Sequence, residues 1–353
     1  MTLKSHREKI DVIDAKIVEL LNERAKLCLA IGKEKIASQK GIYAPGREKE
    51  ILKRIRNLNQ GPMKAEALEA IYREIMSSSL ALEKPLRIAY LGPQASFTQL
   101  AAEKKFGSQV EYLPCENISV IFQKVENRHC DYGVAPIENS IEGAVTHTFD
   151  LLVDSDLKIC AQILLEISHN LLGKTPLNQI KVIYSNPQVF GQCRHWLLAN
   201  LPKAKLVDVV STSHAAQRVL HEKGSACIAS SLAAKVYGLP VLKKDIEDHA
   251  NNVTRFLVLA NDDVASTGSD RTSILFSIKD KVGALHGMLT PFYQNKINLT
   301  KIESRPSKKR VWDYYFFVDF EGHREDLKVR KALDQLEDMC KYLKVLGSYP
   351  SLE

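Results

Sequence analysis

Along residues 3–82, hydrophobic side chains recur every three or four positions, which is the spacing of one face of an α-helix. The clearest series is Ile10, Ile13, Ile17, Leu20, Leu21, Leu27 and Ile31. Glycine and proline interrupt the pattern at GIYAPG (41–46) and NQGP (59–62). We therefore predict one long helix, a shorter helix over 47–58 and a third over 64–83. These helices leave much apolar surface for so few residues, which a partner chain would cover.

After Lys84-Pro85 the pattern changes to short apolar runs suited to buried strands. The runs are LRIAYLG, QVEYLP, YGVAPIEN, IKVIYSN, AKLVDVVS, SACIAS and RFLVLA. Helical stretches lie between most of them, so the pattern predicts an open α/β sheet over 86–262, long enough for two lobes.

The polar stretch NDDVASTGSD (261–270) predicts a linker. Beyond it we predict strand RTSILFSIK, helix VGALHGMLTPFYQN, strands INLTKIESR and VWDYYFFVDF, helix REDLKVRKALDQLEDM and strand KVLGSY. That βαββαβ order is the α+β ferredoxin-like motif. The chain is therefore predicted to be multidomain, with domains at 1–84, 85–264 and 270–353.

The composition is ordinary for a soluble globular protein, with 45% hydrophobic and 26% charged residues among 353. A single core stops growing at roughly 250–300 residues, which agrees with several domains. Residues 1–84 hold 17 bases and 12 acids, so five of the seven excess positive charges lie there. A basic face attracts anions of many kinds. The interleaved acids and the lack of helix-turn-helix spacing argue against a nucleic-acid partner.

Several protein classes are excluded by missing signals. The seven cysteines form no CxxC pair, which predicts reduced thiols in a cytosol and neither disulfides nor a zinc site. The N-terminus is charged from Lys4 onward and lacks an apolar signal core. No apolar run approaches the roughly 20 residues that span a bilayer, so we expect a cytoplasmic protein without membrane contact. The phosphate-loop, GxGxxG and HExxH motifs are also missing.

The helical segment places cations at intervals that suit a small dianion. Arg24 and Lys35 are 11 positions apart, which returns them to nearly the same helical stripe. Arg7 lies 17 positions before Arg24, roughly 25 Å along a helix, so the two cannot hold one small molecule within a single chain. A dimer would supply Arg7 from the second chain. The alternative is that these residues form a solvated helix face.

An ordered series of charged motifs makes residues 1–84 resemble the all-helical chorismate mutases. The motifs are Arg7-Glu-Lys-Ile, Glu23-Arg24, Gly32-Lys33-Glu-Lys35, Pro45-Gly-Arg47-Glu48 and Ser79-x-x-x-Glu83. Members of that family are intertwined dimers that convert chorismate to prephenate by an intramolecular rearrangement. The reaction needs no nucleophile or proton transfer, because the protein has only to hold a compact conformer and stabilise developing charge.

The resemblance implies a role for each charged position. The partner's Arg7 and Arg24 would hold the substrate carboxylates, with Ser79 assisting. Lys35 would donate to the ether oxygen, where negative charge develops as the C–O bond breaks. Glu48 would accept from the ring hydroxyl.

Two further positions belong to the same implied site. Arg47 would support it, and Glu83 would be a second donor to the ether oxygen. Many relatives have glutamine at the position of Glu83, and an ionised carboxylate cannot donate, so Glu83 must be protonated for that role. Ala44 stands where many relatives have aspartate.

Four predicted strands of the middle segment end in small hydroxyl or amide residues that open a helix. They are YLGPQASFT (90–98), YSNPQ (184–188), VSTSH (210–214) and IASS (228–231). Ligands of open α/β sheets bind at the carboxyl ends of strands, and helix N-termini favour anions. An anion-binding cleft is one interpretation, and plain N-capping of each helix is the other.

The same segment resembles prephenate dehydratase. The motifs are Gly92-Pro93-x-x-Ser96-Phe97-Thr98, Pro136-Ile137-Glu138-Asn139-Ser140, Ser185-x-Pro187 with Gln192-Cys193, Ser211-Thr212-Ser213 and Asn252-x-Thr254-Arg255-Phe256. That family folds as two α/β lobes, similar to periplasmic binding proteins, with the active site between them. Its reaction removes a ring hydroxyl and a carboxylate together, giving phenylpyruvate, water and carbon dioxide.

By this resemblance Thr254 is the main catalytic residue, because a threonine hydroxyl in a water-poor cleft can donate to the departing hydroxide. Asn139 and Gln192 would orient and stabilise the substrate. Arg255 would bind a carboxylate or pair with an acid such as Glu138.

Further substrate contacts are implied at Ser96, Thr98 and Ser213. Ala95 replaces the family's usual glycine and Asn186 a frequent histidine, and neither change removes the expected acid.

The C-terminal segment resembles the phenylalanine-binding ACT domains attached to prephenate dehydratase. Its signatures are Gly283-Ala284-Leu285-His286 and Glu303-Ser304-Arg305-Pro306. The first opens a helix, where backbone N–H groups suit an amino-acid carboxylate, and the second supports the pocket from a strand. L-phenylalanine would bind between two such domains as a feedback inhibitor. The alternative treats Gly283 as a helix start and Arg305 as a surface pair.

Together the motifs resemble the bifunctional chorismate mutase–prephenate dehydratase family with a C-terminal ACT domain. The resemblance implies chorismate and prephenate as substrates, L-phenylalanine as inhibitor and a homodimer or higher homo-oligomer. Neither reaction is redox, so no metal or organic cofactor is expected. The alternatives are a dehydratase with a vestigial mutase, an enzyme that takes arogenate, and a non-catalytic phenylalanine-responsive binding protein.

Overall fold

The computed structural model describes residues 2–37, 43–278, 282–307 and 314–352. The chain divides into two compact units. The first consists of Met1–Arg87 with Lys105–Glu111, and the second of Ile88–Lys104 with Tyr112–Glu353.

The first unit contains the three helices predicted from the hydrophobic pattern, α1 (Leu3–Ala37), α2 (Pro45–Leu58) and α3 (Ala65–Glu83). α2 begins two residues earlier than predicted, because proline at the first helical turn lacks only an N–H that would be unpaired there. Residues 41–42 of the predicted break lie outside the described residues.

The long helix α1 keeps much of its apolar stripe at the surface. Ile10 is 54% exposed and Ile13 is 55% exposed, whereas the later part of the helix approaches α3 so closely that a Cβ on Gly32 would touch Glu83. The N-terminal half of α1 therefore presents an apolar face that the described residues of one chain do not cover.

The second unit begins with two lobes built on separate sheets. The strands of the first sheet are β1 (Arg87–Leu91), β2 (Glu111–Cys115), β3 (Tyr132–Asn139), β4 (Gly143–Ala144), β5 (Lys158–Glu166) and β11 (Val253–Ala260). Those of the second sheet are β6 (Asn170–Leu172), β7 (Val182–Ser185), β8 (Lys205–Asp208), β9 (Ser225–Ala229) and β10 (Val241–Lys243). The first sheet has the order β2-β1-β3-β11-β5 with β4 beside β3, and the second has the order β10-β6-β9-β7-β8.

Seven helices connect these strands. They are α4 (Phe97–Phe106), α5 (Ile118–Glu126), α6 (Thr146–Asp154), α7 (Pro187–Gln192), α8 (Arg194–Asn200), α9 (Thr212–Val219) and α10 (Ser231–Tyr237). All seven strands predicted from apolar runs are present, whereas β4, β5, β6 and β10 were not predicted. In β5 the buried polar side chain of Gln162 interrupts the apolar run, and the other three strands have only two or three residues.

The central position of β11 determines where the site lies. This strand comes after the whole second lobe in the chain, yet it runs antiparallel to both β3 and β5 in the middle of the first sheet. Its first residues therefore lie beside the end of β3, with Thr254 opposite Asn139.

The C-terminal part has the predicted βαββαβ order. Its elements are β12 (Asp270–Ser277), α11 (Ala284–Gln294), β13 (Leu299–Pro306), β14 (Tyr314–Glu321), α12 (Leu327–Met339) and β15 (Tyr342–Pro350). They form an antiparallel sheet of order β13-β14-β12-β15. Residue 279 of the first predicted strand and residues 311–313 of the third lie outside the described residues.

The C-terminal sheet packs on the first lobe through an apolar core. One cluster of buried side chains includes Ile159 of β5 together with Leu275, Phe317 and Leu346 of the C-terminal sheet. A Cβ on Gly347 would collide with the backbone of Ile159, so glycine is what allows β15 to approach β5 this closely.

Candidate active sites

The hydroxyl of Thr254 lies at the end of a chain of oriented amides. The Nδ2 group of Asn139 donates to Thr254 Oγ1 at 2.8 Å and to Asn252 Oδ1 at 2.6 Å. Asn139 Oδ1 accepts from the backbone N–H groups of Ile141 and Glu142, at 2.9 and 3.0 Å. Because Oγ1 already accepts a hydrogen bond, the hydroxyl hydrogen of Thr254 is left to donate to a ligand.

Gln192, the last residue of α7, joins the same network. Its Oε1 accepts from Asn252 Nδ2 at 3.1 Å and from His169 Nε2 at 2.7 Å, and its Nε2 donates to Glu142 Oε1 at 3.2 Å. Asn252 thus connects Asn139 with Gln192. The structure brings together the three residues predicted to act in dehydration, although they lie far apart in the sequence.

His169 is a member of this network that the sequence analysis missed. It is 1% exposed, and burial lowers the pKa of its imidazole, with Gln192 and Glu247 opposing that shift. The ring is therefore neutral at pH 7, with the proton on Nε2 donated to Gln192. Its buried Nδ1 has no hydrogen-bond partner in the described part of the chain. In the sequence His169 stands in the segment ISHNLL, between apolar residues, and this pattern is too common to indicate a functional histidine.

A cavity of about 310 Å³ opens beside these groups. Its lining includes Glu142 from the first lobe, Gln188 and Gln192 from α7, and Asn252 from the segment before β11. The volume is at the lower end of the range typical of small-molecule sites, roughly 300–1,000 Å³. The network therefore borders a space in the cleft between the two lobes that suits a compact substrate.

Arg255 points away from Thr254, because successive residues of a strand face opposite sides of the sheet. Its Nη1 donates to Asp319 Oδ2 at 2.6 Å and lies 3.5 Å from Glu138 Oε1, and its Nη2 donates to Tyr349 at 2.9 Å. With 6% of the side chain exposed, the structure favours the expected pairing with acids over binding of a substrate carboxylate.

The four strand ends with small polar residues all cap helices. Val189 N–H donates to the side chain of Asn186, His214 N–H to Ser211 and Ala233 N–H to Ser230. In the first loop Ser96 Oγ donates to Leu91 O and accepts from the N–H of Gln99. The N-capping interpretation is therefore right for each of them, and Ser96 has this structural role where substrate binding was expected.

Thr98 and Ser213 are both buried, on α4 and α9 respectively. The hydroxyl of Ser213 lacks a hydrogen-bond partner among the described residues. Neither residue contacts the amide network through any hydrogen bond found in the described part of the chain. Their expected contact with substrate therefore stays a prediction.

In the helical unit, α1 and α3 bring together two pairs of the residues expected in the mutase site. Arg24 Nη1 donates to Ser79 Oγ at 2.5 Å, and Lys35 Nζ lies 3.3 Å from Glu83 Oε2. The carboxylate of Glu83 is thus an acceptor for an ammonium group, whereas a donor role was expected. Arg7 is exposed and lies on the first half of α1, whereas Arg24 lies on the second half.

The two candidate residues of α2 differ in their surroundings. Glu48 Oε2 accepts from the hydroxyl of Tyr43 at 2.7 Å and lies 2.9 Å from Lys105 Nζ. Arg47 pairs with Glu50 at 2.9 Å, and both side chains are more than half exposed. The support expected from Arg47 is therefore not seen, because this pair lies at the surface.

The two expected effector-binding signatures both lie in the C-terminal sheet domain. Gly283 has φ +79° immediately before α11, a conformation that side chains with a Cβ rarely adopt. Ala284 is buried, whereas Leu285 and His286 are exposed. On the edge strand β13, Glu303 and Arg305 are half-buried, while Ser304 and Pro306 face the exposed side.

No described helix combines the length and apolarity needed to cross a membrane. No group of three or more His, Cys, Asp or Glu side chains is placed to hold a metal ion, again among residues that the structure describes.

The fold and these sites define a class of enzyme with a helical domain, a two-lobed domain with a catalytic cleft and a ferredoxin-like domain. Three family models match it in that order: chorismate mutase type II over 6–84, prephenate dehydratase over 88–264 and the ACT domain over 272–338.

Whole-chain relatives share this arrangement. A bifunctional chorismate mutase/prephenate dehydratase of Aquifex aeolicus is 48% identical over 99% of this chain and 98% of its own length. One from Neisseria gonorrhoeae is 44% identical over 98% and 96%. A solved prephenate dehydratase from Arthrobacter aurescens, in complex with L-Phe, has a TM-score of 0.70 and 33% identity over 75% of this chain and 90% of that one.

The chain therefore belongs to the bifunctional chorismate mutase/prephenate dehydratase family. It is an enzyme that rearranges chorismate to prephenate and then converts prephenate to phenylpyruvate.

Proposed function

We propose that Thr254 donates to the departing hydroxyl of prephenate in the cleft between the two lobes. As the bond to the carboxylate breaks, its electron pair enters the ring and carbon dioxide leaves. Those ring electrons expel the ring hydroxyl as its C–O bond breaks. Its oxygen takes the proton of the Thr254 hydroxyl and leaves as water, and Thr254 Oγ1 regains a proton from solvent. The hydrogen bond from Asn139 to Thr254 Oγ1 carries this proposal, because it orients the hydroxyl while its hydrogen, which has no acceptor among the described residues, stays available to donate.

The amides of Asn139 and Gln192 fix the geometry of this donor and of the substrate. Every amide group in the network has a partner, so its orientation is determined before substrate binds. Pre-oriented groups stabilise a transition state without paying for reorganisation during the reaction.

For the mutase reaction we propose that Arg24 and Ser79 hold one end of chorismate and that Lys35 donates to the ether oxygen. Their pairing across α1 and α3 supports this assignment. Since Arg7 is too distant along the helix, the partner chain's copy would complete the carboxylate site. The exposed apolar stripe of α1 supports a homodimer or higher homo-oligomer.

We also propose a cytoplasmic location and feedback inhibition by L-phenylalanine. The seven cysteines are free, as is usual in a reducing compartment. The solved Arthrobacter relative is in complex with L-Phe. In this chain Gly283 immediately precedes α11, and the backbone N–H groups at the N-terminus of a helix suit an amino-acid carboxylate. Two ACT domains facing each other would hold the inhibitor between them.

A line of charges offers a route from the effector strand to the dehydratase site. Burial lowers the pKa of Lys301 on β13, and the neighbouring carboxylates of Asp319 and Glu303 partly oppose that shift. Lys301 forms an ion pair with Glu138, which also lies near Arg255. Glu138 precedes Asn139 on β3 and Arg255 follows Thr254 on β11, so a shift of β13 reaches both catalytic strands.

Incubation of the purified chain with chorismate tests the proposed function. Phenylpyruvate should accumulate in the wild type, and prephenate should accumulate in Thr254→Ala, while Thr254→Ser keeps the donor and retains activity. Turnover of prephenate without turnover of chorismate would show a vestigial mutase. Faster turnover of arogenate than of prephenate would identify arogenate as the substrate. If chorismate, prephenate and arogenate all gave no product, the chain would be a non-catalytic binding protein.

A further inference from the structure

The carboxylate of Glu48 is held on one of its two oxygens. Oε2 accepts from Tyr43 at 2.7 Å and from Lys105 at 2.9 Å. Only 12% of the Glu48 side chain and 20% of the Lys105 side chain is exposed. Oε1 has no hydrogen-bond partner among the residues that the structure describes. The group is therefore fixed and charge-compensated on one side and open to a donor on the other.

Lys105 does not come from the three mutase helices. It lies near the end of α4, inside the stretch 88–264 that matches the prephenate dehydratase model. The segment Lys105–Glu111 nevertheless belongs to the same compact unit as α1, α2 and α3.

Several contacts fasten this segment to α3, so the ion pair is not an isolated surface contact. Ser108 donates to Glu74 through both its N–H and its hydroxyl, at 3.2 and 2.6 Å. The N–H of Gln109 donates to Ser77 Oγ at 3.0 Å. A Cβ on Gly107 would collide with Ser77, which shows how closely the two backbones approach.

Aromatic contacts hold the other side of the same segment. The rings of Phe106 and Tyr43 lie 5.0 Å apart, and Lys105 Nζ lies 5.8 Å from the centroid of the Tyr43 ring. Lys105 and Tyr43 thus reach Glu48 as one packed group. A partly buried, charge-assisted pair of this kind orients its members more strongly than an exposed pair does.

We propose that Lys105 is a positioning residue for the mutase reaction, which holds the carboxylate of Glu48 so that Oε1 faces the ring hydroxyl of chorismate. The proposal rests on the role of Glu48 given above. It means that the mutase site includes a residue encoded beyond the last mutase helix. The ring hydroxyl is present in both the bound substrate and the transition state, so the positioning acts on binding more than on the rearrangement itself.

The full-length Lys105→Met variant tests this proposal. A hydrogen bond to a charged group is worth about a ten- to hundredfold change, so we expect KM for chorismate to rise by that order with kcat little changed. Turnover of added prephenate should stay at the wild-type rate. Lys105→Arg should restore the KM, because arginine keeps the cation and the donor.

Two further variants separate positioning from a general structural role. Lys104→Met removes the neighbouring lysine, which donates to Leu164 O at 3.0 Å, and should leave the KM for chorismate unchanged. In a Glu48→Gln background, Lys105→Met should add no further loss, because Lys105 acts through Glu48.

Three results would overturn the proposal. The first is an unchanged KM for chorismate in Lys105→Met. The second is a rise in KM that is as large in the Glu48→Gln background as in the wild-type background, and the third is a parallel loss of mutase and dehydratase activity. A wild-type KM in Glu48→Gln itself would instead contradict the role that the resemblance to chorismate mutases implies for Glu48, that of acceptor for the ring hydroxyl.

Discussion

At the scale of single residues, the site that we propose for dehydration contains a chain of amides in which Asn252 is the central link. Its Oδ1 accepts from Asn139 and its Nδ2 donates to Gln192. Asn252 is 2% exposed, and both of its bonds are made to other side chains of the network. The residue is not a chemical participant, yet the orientation of both neighbouring amides depends on it.

Asn252→Ala should therefore impair dehydration. Asn139 and Gln192 each lose one of their hydrogen bonds, which loosens the orientation of both amides, and we expect kcat/KM for prephenate to fall by about ten- to a hundredfold. The measurement is phenylpyruvate formation from added prephenate. Asn251→Ala, which changes the exposed neighbouring side chain, is the matched control and should keep full activity. Equal losses in the two variants would contradict the linking role.

The lowered pKa of His169 predicts a pH dependence of stability. The unfolded chain takes up a proton near the ordinary histidine pKa of about 6.5, whereas the buried ring takes it up at lower pH. Stability is therefore fully present above about 6.5 and is lost as the pH falls toward the lowered pKa, at up to about 1.4 kcal/mol per pH unit.

Urea unfolding at pH 7.5 and 5.5 measures this loss in the wild type and in His169→Gln. We expect a smaller difference between the two pH values in the variant, because glutamine does not titrate. The same difference in both proteins would show that other groups cause the loss.

Motifs pointed to the residues for which we propose chemical roles, but not to the residues that orient them. Thr254, Asn139 and Gln192 were all found because each stands in an ordered motif. His169 and Lys105 were missed, since each acts on a residue far away in the chain and neither belongs to a quoted motif. The donor role expected of Glu83 stays a prediction, and the pattern gave no sign that Lys35 reaches its carboxylate across two helices.

At the scale of elements, the sequence predicted what local periodicity determines. The three helices of the first unit and the seven strands predicted from apolar runs are all present. Burial was predicted less well, because the edge strand β8 has no buried residue and the edge strand β2 has one. β6 and β10, with three residues each, are too short for any pattern and are strands only because β9 and β6 supply their partners. Pairing with distant strands is a tertiary property that a local pattern does not contain.

The close approach of β15 to β5 predicts that Gly347 cannot be replaced by a residue with a side chain without loss of stability. In Gly347→Ala the added methyl group would collide with the backbone of Ile159, and we expect a loss of about 1–3 kcal/mol in the free energy of unfolding. Thermal unfolding followed by circular dichroism measures it. Gly287→Ala, where a Cβ meets nothing within 4 Å, is the control and should not lower the melting temperature. Equal melting temperatures for both variants would contradict the close packing.

At the scale of the whole molecule, a buried polar cluster ties the catalytic strand β11 to the ACT sheet. Asp319 accepts from Arg255 at 2.6 Å and from Ser273 at 2.5 Å, and Ser273 also bonds the hydroxyl of Tyr349 at 2.7 Å. Burial raises the pKa of Tyr349 to about 12, so it remains a neutral phenol that accepts from Arg255. The dehydratase strand therefore depends on a carboxylate of the regulatory domain.

Asp319→Asn should lower dehydratase activity and weaken its inhibition by L-phenylalanine, while leaving mutase activity unchanged. The buried Arg255 would lose the nearer of its two carboxylate partners and keep only Glu138 at 3.5 Å. Loss of a buried ion pair costs up to about 3–5 kcal/mol, and we expect it to displace β11 and with it Thr254. Titration of L-phenylalanine during prephenate turnover measures both effects. Asp334→Asn, on the exposed side of α12, is the control. Wild-type inhibition in Asp319→Asn would mean that the effector acts through other contacts.

The central position of β11 also has a consequence for synthesis on the ribosome. β3 and β5 emerge early, but the strand that belongs between them begins at Val253, 87 residues after β5 ends at Glu166. At ordinary translation rates this gap lasts roughly ten seconds, during which the first sheet has two unpaired inner edges. The second lobe, whose strands all lie within that gap, can fold first. Thr254, the proposed donor, thus arrives on the strand that closes the sheet, so the proposed dehydratase site is among the last parts of its domain to form.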